Sequence, residues 1–171
     1  MENNDKTISG DHLERAYMAC GCFWGVQFYM GREPGVVKLT CGYMGGSEER
    51  PTYQEVKAHL TGHAEAVEIV YDPAITSYKN LCRLFFEIHD PAQVGGIGSD
   101  LGPQYRSEIF YTHEEQLATA REVIADLKSR GYVVNTRLTP SSPFWPAEEY
   151  HQNYFEKNGG EPDCHFRIKK F

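Results

Sequence analysis

The sequence predicts an α+β fold, because segments of two-residue apolar period alternate with segments whose apolar residues recur at i, i+3, i+4 and i+7, with turn residues between them. A short strand near Arg15 to Ala19 leads into a helix from Cys22 to Met30. Val37, Leu39, Cys41 and Tyr43 alternate with Val36, Lys38, Thr40 and Gly42, a strand with Cys41 facing inward, which Gly42, Gly45 and Gly46 end in a loop. Val67, Ile69 and Tyr71 share one face of a second strand, closed by Asp72-Pro73. Leu81, Leu84, Phe85 and Ile88 form an amphipathic helix with Ser77 as N-cap and Asp90-Pro91 as its stop. Ile109 and Tyr111 mark a third strand. Thr112 with Glu115 reads as a capping box, and Leu117, Ala120, Ile124 and Leu127 continue that helix to Gly131. Val133 to Leu138 reads as a further strand, and Pro146 opens a last helix to about Lys157 with Tyr150 and Tyr154 on one face. The first six elements run β-α-β-β-α-β, the split βαβ order of a ferredoxin-like two-layer sandwich, here with a C-terminal helical extension and an irregular tail.

A chain of 171 residues predicts a single domain. Its core covers about residues 13–158; residues 1–12 and the Gly-rich tail 159–171 are expected to be untethered. With 17 Lys and Arg against 24 Asp and Glu, the net charge of -7 provides no field for nucleic acid or anionic lipid. The longest uncharged run, Ala16 to Gly31, falls short of the roughly 20 apolar residues that span a bilayer. The acidic residues ahead of it, Glu2, Asp5, Asp11 and Glu14, are the wrong sign for a secretory leader. Five cysteines, at positions 20, 22, 41, 82 and 164, make an odd set in a chain that needs no disulfide staple. The expectation is reduced thiols, the cytoplasm and no membrane.

Chemistry concentrates in short stretches. In Gly21-Cys22-Phe23-Trp24-Gly25 a strand hands over to a helix with a cysteine in its first turn, where backbone N–H groups stabilise a thiolate. The alternative is a buried structural cysteine, with Phe23 and Trp24 filling the core. Glu65, in Gly62-His63-Ala64-Glu65, shares a strand face with Val67 and Ile69; half buried there, it would hold its proton more tightly and suit a proton donor, and otherwise it is a strand-end Glu facing water. Tyr53 and Tyr105 are phenols near loop-to-strand junctions. His59 and His63 lack a third ligand at a telling spacing, so no metal is expected. Gly95, Gly96 and Gly98, leading to Asp100, lack the Lys-Ser/Thr of a phosphate loop and read as a flexible substrate-side loop. Cys82 reads as structural.

These stretches occur in one order with Gly42-Tyr43-Met44-Gly45-Gly46, Pro51-Thr52-Tyr53, Phe86-Glu87-Ile88-His89-Asp90-Pro91, Gln104-Tyr105-Arg106-Ser107 and Pro146-Ala147-Glu148-Glu149-Tyr150-His151-Gln152. Together, over about residues 15–158, they closely resemble peptide methionine sulfoxide reductase A. The resemblance implies a ferredoxin-like α+β fold and reduction of the S epimer of methionine sulfoxide, free or in oxidised proteins, without metal or cofactor. It implies that Cys22 is the nucleophile, that Glu65 protonates the sulfoxide oxygen, and that Tyr53 and Tyr105 hydrogen-bond that oxygen. Phe23 and Trp24 would receive the S-methyl group and Asp100 would orient the substrate. Attack by Cys22 leads to a sulfenic acid, a second thiol condenses with it, and thioredoxin is the family's usual final reductant. For the second thiol the family favours a Gly-rich tail, where only Cys164 qualifies; Cys20 and Cys41 are the alternatives. A monomer is expected. The rival readings are a thiol peroxidase and a module that binds oxidised methionine without turnover.

Overall fold

A computed structural model describes residues 12–97, 100–163 and 165–171, without the side chains of Ile97 and Asp100. The fold is mixed α+β. In chain order the elements are β1 (Glu14–Cys20), α1 (Phe23–Met30), β2 (Val36–Met44), α2 (Tyr53–Lys57), β3 (Ala64–Tyr71), α3 (Tyr78–Glu87), β4 (Gly96–Ile97), β5 (Asp100–Leu101), β6 (Ser107–Tyr111), α4 (Glu114–Ser129), β7 (Arg137–Pro140), β8 (Trp145–Pro146) and α5 (Tyr154–Asn158). Single 3-10 turns lie at Pro103–Tyr105 and Glu149–His151. Six strands form one sheet in the order β7-β6-β1-β3-β2-β8, while β4 and β5 pair apart from it. All pairs in the large sheet are antiparallel except β6 with β7.

Strand alternation divides the core. Ala16, Met18 and Cys20 of β1, Cys41 and Tyr43 of β2, and Val67, Ile69 and Tyr71 of β3 face the helices, where Phe23, Val26, Leu81, Phe85, Ala120 and Leu127 join the same cluster. Ala19, Ala64, Ala66, Met44 and Phe110 form the opposite face, covered by Tyr17 and Phe144. Cys41 and Tyr43 point inward as expected, but Val37 is 49% exposed. The register of β2 on β3 shifts between Val36 and Lys38, and a one-residue bulge moves the residues before it to the other face. Ser77 caps α3, its hydroxyl oxygen accepting from the Asn80 N–H at 3.1 Å.

Other local expectations give way to distant partners. α4 begins at Glu114 with His113 as N-cap, not Thr112. The Gln116 side chain accepts from the Thr112 N–H at 2.9 Å and donates to the Arg15 carbonyl at 2.9 Å, tying this helix start to β1. Val133 to Thr136 are irregular, and the further strand begins only at Arg137. Pro146 opens no helix. It pairs with Gly42 at the edge of the sheet, where a proline's missing N–H costs nothing, and Asn153 at φ 52° separates the 3-10 turn from α5.

The tail is irregular, as expected, but residues 165–171 are tethered. Ile168 N–H donates to the Glu87 carbonyl at 2.8 Å, and Lys170 Nζ donates to the carbonyls of Phe86 and His89 at 2.5 and 2.9 Å. These are carbonyls that a helix end leaves unpaired, and a cation there also complements the helix dipole.

Candidate active site

Gly21, at φ 113°, turns the chain from β1 into α1, a backbone angle that a side chain disfavours. Cys22 follows as the N-cap, half-buried, at φ -57° and ψ 119°. Its carbonyl accepts from Gly25 and Val26 at 3.2 and 3.4 Å, which starts the helix. The same carbonyl meets His165 Nε2 at 3.2 Å, while His165 Nδ1 lies 2.8 Å from the Ile88 carbonyl. The tail therefore returns to the N-terminus of α1 immediately after Cys164, which itself lies outside the described residues.

Glycine at position 25 makes room for that return, since a Cβ there would stand 2.2 Å from His165 Cδ2. Gly25→Ala is expected to destabilise the protein by about 1–3 kcal/mol, the usual cost of overpacking, against a helix-propensity gain of at most about 1 kcal/mol. Thermal unfolding and protease cleavage of the tail check this. A variant as stable and as resistant as the parent would mean that the His165 ring does not sit there.

Glu65 lies on β3 opposite Tyr43 and is 3% exposed, deeper than the half burial expected. Its Oε1 accepts from the Phe23 N–H at 3.3 Å, so the carboxyl group sits against the peptide that joins Cys22 to Phe23. Tyr53 stands at the first position of α2 instead of leading into a strand. A capping box builds that helix start: Thr52 Oγ1 accepts from Glu55 N–H at 3.3 Å and Glu55 Oε2 accepts from Thr52 N–H at 3.2 Å. Tyr105 ends the turn Pro103–Tyr105, which packs against β3. Next to it, Arg106 donates to the Gly62 carbonyl at 3.0 Å, holding this turn at the end of β3 where Glu65 lies. Asp100 is in β5, and its side chain is outside the described residues.

The sequence motif around His151 turns out to frame the site, a role that no spacing announced. His151 is 0% exposed, and its ring centre lies 4.6 Å from that of Tyr53, 5.1 Å from Phe23 and 5.7 Å from Trp24. Trp24 Nε1 donates to His151 Nδ1 at 3.0 Å, and Tyr154 stacks on the indole at 3.7 Å with 3° between the planes. Glu148 accepts from the Tyr43 hydroxyl at 3.0 Å and from the Tyr53 N–H at 3.1 Å. Burial first, and then the Glu148 charge, push the Tyr43 phenol well above its ordinary range. Gln152 binds both the N–H and the carbonyl of Cys41, at 2.8 and 2.9 Å, and so fastens the segment to β2.

The remaining described cysteines are poor nucleophiles. Burial pushes the thiols of Cys20 and Cys41 up, the second helped by the Glu65 charge, and pushes Cys82 up to about 12. Cys41 Sγ donates to Gln27 Oε1 at 3.2 Å. His63 is engaged by the backbone, its Nδ1 accepting from Gly46 N–H at 3.0 Å and its Nε2 donating to the Glu48 carbonyl at 2.7 Å.

The family model for peptide methionine sulfoxide reductase matches residues 14–171, so the likeness runs past residue 158 and through the tail. The chain is 48% identical over 153 residues to the peptide methionine sulfoxide reductase MsrA of Methanosarcina acetivorans, covering 88% of this chain and 81% of that protein. To the MsrA of Mycolicibacterium gilvum it is 47% identical over 159 residues, 91% of each chain. Among solved structures it is similar to reduced Mxr1 from Saccharomyces cerevisiae, with a TM-score of 0.84 and 31% identity over 92% of this chain and 93% of that one. Methionine sulfoxide reductase A of Corynebacterium diphtheriae gives a TM-score of 0.80 and 35% identity, over 89% and 78% of the two chains.

Proposed function

The chain belongs to the peptide methionine sulfoxide reductase family and is an oxidoreductase acting on methionine sulfoxide; we propose that it reduces the S epimer, free or in proteins, with Cys22 as nucleophile and Glu65 as acid. The observation that carries the assignment of these two residues is the Glu65 carboxyl group held against the Cys22–Phe23 peptide at the start of α1. A sulfoxide sulfur is a weak electrophile until its oxygen is protonated, so thiolate and proton donor must meet on one S–O group. Glu65 gives its proton to the oxygen as Cys22 Sγ attacks the sulfur. The S–O bond breaks and the oxygen leaves as water; a water then attacks Cys22 Sγ and breaks the bond between the two sulfurs, so the substrate departs as methionine, reduced by two electrons, and Cys22, oxidised by the same two electrons, becomes a sulfenic acid. Tyr53 and Tyr105 hydrogen-bond the oxygen, Phe23 and Trp24 take the methyl group, and Asp100 orients the substrate.

The thiol of Cys164 then displaces water from the sulfenic acid to give a disulfide with Cys22, which thioredoxin reduces by dithiol exchange. Support comes from His165, the next residue, lying against the Cys22 carbonyl, and from the burial of Cys20 and Cys41. The reading needs no metal or cofactor. It takes the protein as a cytoplasmic monomer forming one catalytic domain, supported by its thiol usage; among the described residues no helix is long and apolar enough to cross a membrane. The run β6-β1-β3-β2 supports the ferredoxin-like description of the central sheet.

Mixing the reduced protein with one equivalent of each sulfoxide epimer tests the reading. Methionine from the S epimer with a Cys22–Cys164 disulfide by mass spectrometry is expected; methionine from the R epimer alone, or none, would overturn it. Cys164→Ser is expected to yield about one methionine per enzyme, because sulfenic acid formation precedes resolution. It should lose turnover with thioredoxin and regain it with dithiothreitol. Undiminished thioredoxin-driven turnover would move the resolving role to Cys20 or Cys41.

A further inference from the structure

We propose that His151 is a positioning residue that sets the Trp24 indole as the wall of the substrate pocket, by accepting the indole N–H at Nδ1. The inference rests on the reading of Trp24 as a pocket residue. Indole nitrogen only donates, so Nδ1 must carry no hydrogen and the neutral ring must carry its hydrogen at Nε2. That Nε2 is buried and meets no hydrogen-bond partner among the described residues. A buried donor without an acceptor costs free energy, and a phenyl ring among Phe23, Tyr53 and Tyr150 would avoid the cost. Packing alone therefore does not explain an imidazole at this position, whereas the bond to Trp24 does.

The bond has a geometric consequence. Stacking on Tyr154 covers one face of the indole but leaves it free to slide and turn in its plane. The 3.0 Å bond to Nδ1 removes that freedom. His151 is itself immobilised: its ring packs among Phe23, Tyr53 and Tyr150, its backbone N–H donates to the Glu148 carbonyl at 3.0 Å, and Gln152 beside it is fixed to Cys41. Burial also holds its ring below the ordinary histidine range, against the opposing pull of Glu148, which keeps Nδ1 available as an acceptor.

The test compares His151→Asn, whose side-chain oxygen can take the place of Nδ1, with His151→Phe, which keeps the ring and loses the acceptor. The readouts are the Trp24 indole N–H resonance, assigned against Trp145 with a Trp145→Phe protein, and KM and kcat for methionine S-sulfoxide with dithiothreitol. His151→Phe should shift the resonance upfield and raise KM about three- to tenfold, the range of one lost hydrogen bond, with a smaller change in kcat. His151→Asn should stay near the parent in both. In a Trp24→Phe background, where no indole donor remains, His151→Phe should add nothing to KM. Unchanged KM in His151→Phe, a His151→Asn protein indistinguishable from it, or a full further loss in the Trp24→Phe background would overturn the positioning role. Should His151→Phe fail to fold, the Asn comparison alone, in the parent and Trp24→Phe backgrounds, decides between an acceptor and a packing role. Failure of the functional reading itself would look different, since the parent would then release no methionine from the S epimer.

Discussion

Cys22→Ser is expected to release no methionine from methionine sulfoxide, even with excess dithiothreitol, while unfolding within about 2 °C of the parent. A hydroxyl cannot form the sulfenic acid, so the reaction stops before any intermediate that an added thiol could rescue. The fold tolerates the change because Cys22 acts in α1 through its backbone, its carbonyl accepting from Gly25 and Val26, and its side chain makes no capping hydrogen bond. No other described cysteine can take over. Cys20, Cys41 and Cys82 are buried with thiols pushed up, and Cys41 Sγ already donates its one hydrogen to Gln27, with the Phe23 carbonyl the next acceptor at 3.5 Å. Quantifying methionine after a stoichiometric mix, alongside a thermal melt, checks both halves. Methionine from the variant above a protein-free blank would remove Cys22 as nucleophile.

What could be read in the sequence was whatever neighbours in the chain decide. The alternation of Val67, Ile69 and Tyr71 and the Ser77 cap are local, and both reappear in the fold, while α3 already ends at Glu87, ahead of the expected stop at Asp90-Pro91. The handover from β1 to α1 at Gly21-Cys22 is local too, because positive φ at a glycine and a helix start need only a few residues. The frame of the site is not. Trp24 and His151 are 127 positions apart, Tyr43 and Glu148 105, and Cys41 and Gln152 111. Pro146 looked like a helix start because proline suits that position, yet the open edge of β2 offered a strand pairing that no local pattern contains. Gly159 and Gly160 pointed to a loose tail, while its anchors, Ile88 and Cys22 for His165 and Phe86 and His89 for Lys170, lie 77 to 143 positions away.

For Glu65→Gln the expected loss in single-turnover rate is on the order of 10²–10⁴-fold, the usual contribution of a positioned general acid. The substitution isolates that role. Glutamine has the same shape, and its side-chain oxygen can accept from the Phe23 N–H as Oε1 of Glu65 does, so β3 and the start of α1 should hold their places. The amide can still hydrogen-bond the sulfoxide oxygen but has no proton to transfer at neutral pH. Binding should therefore suffer less than the chemical step. A second measurement separates acid catalysis from damage to the nucleophile, because alkylation of Cys22 by iodoacetamide needs the thiolate but no proton donor. Glutamine carries no negative charge and its amide N–H can donate to the thiolate as a protonated Glu65 can, so alkylation of the variant should be unchanged or faster while sulfoxide reduction falls. Slower alkylation in step with slower reduction would mean that Glu65 acts by placing Cys22, and a reduction rate close to the parent's from about pH 5.5 to 8.5 would take Glu65 out of the mechanism altogether.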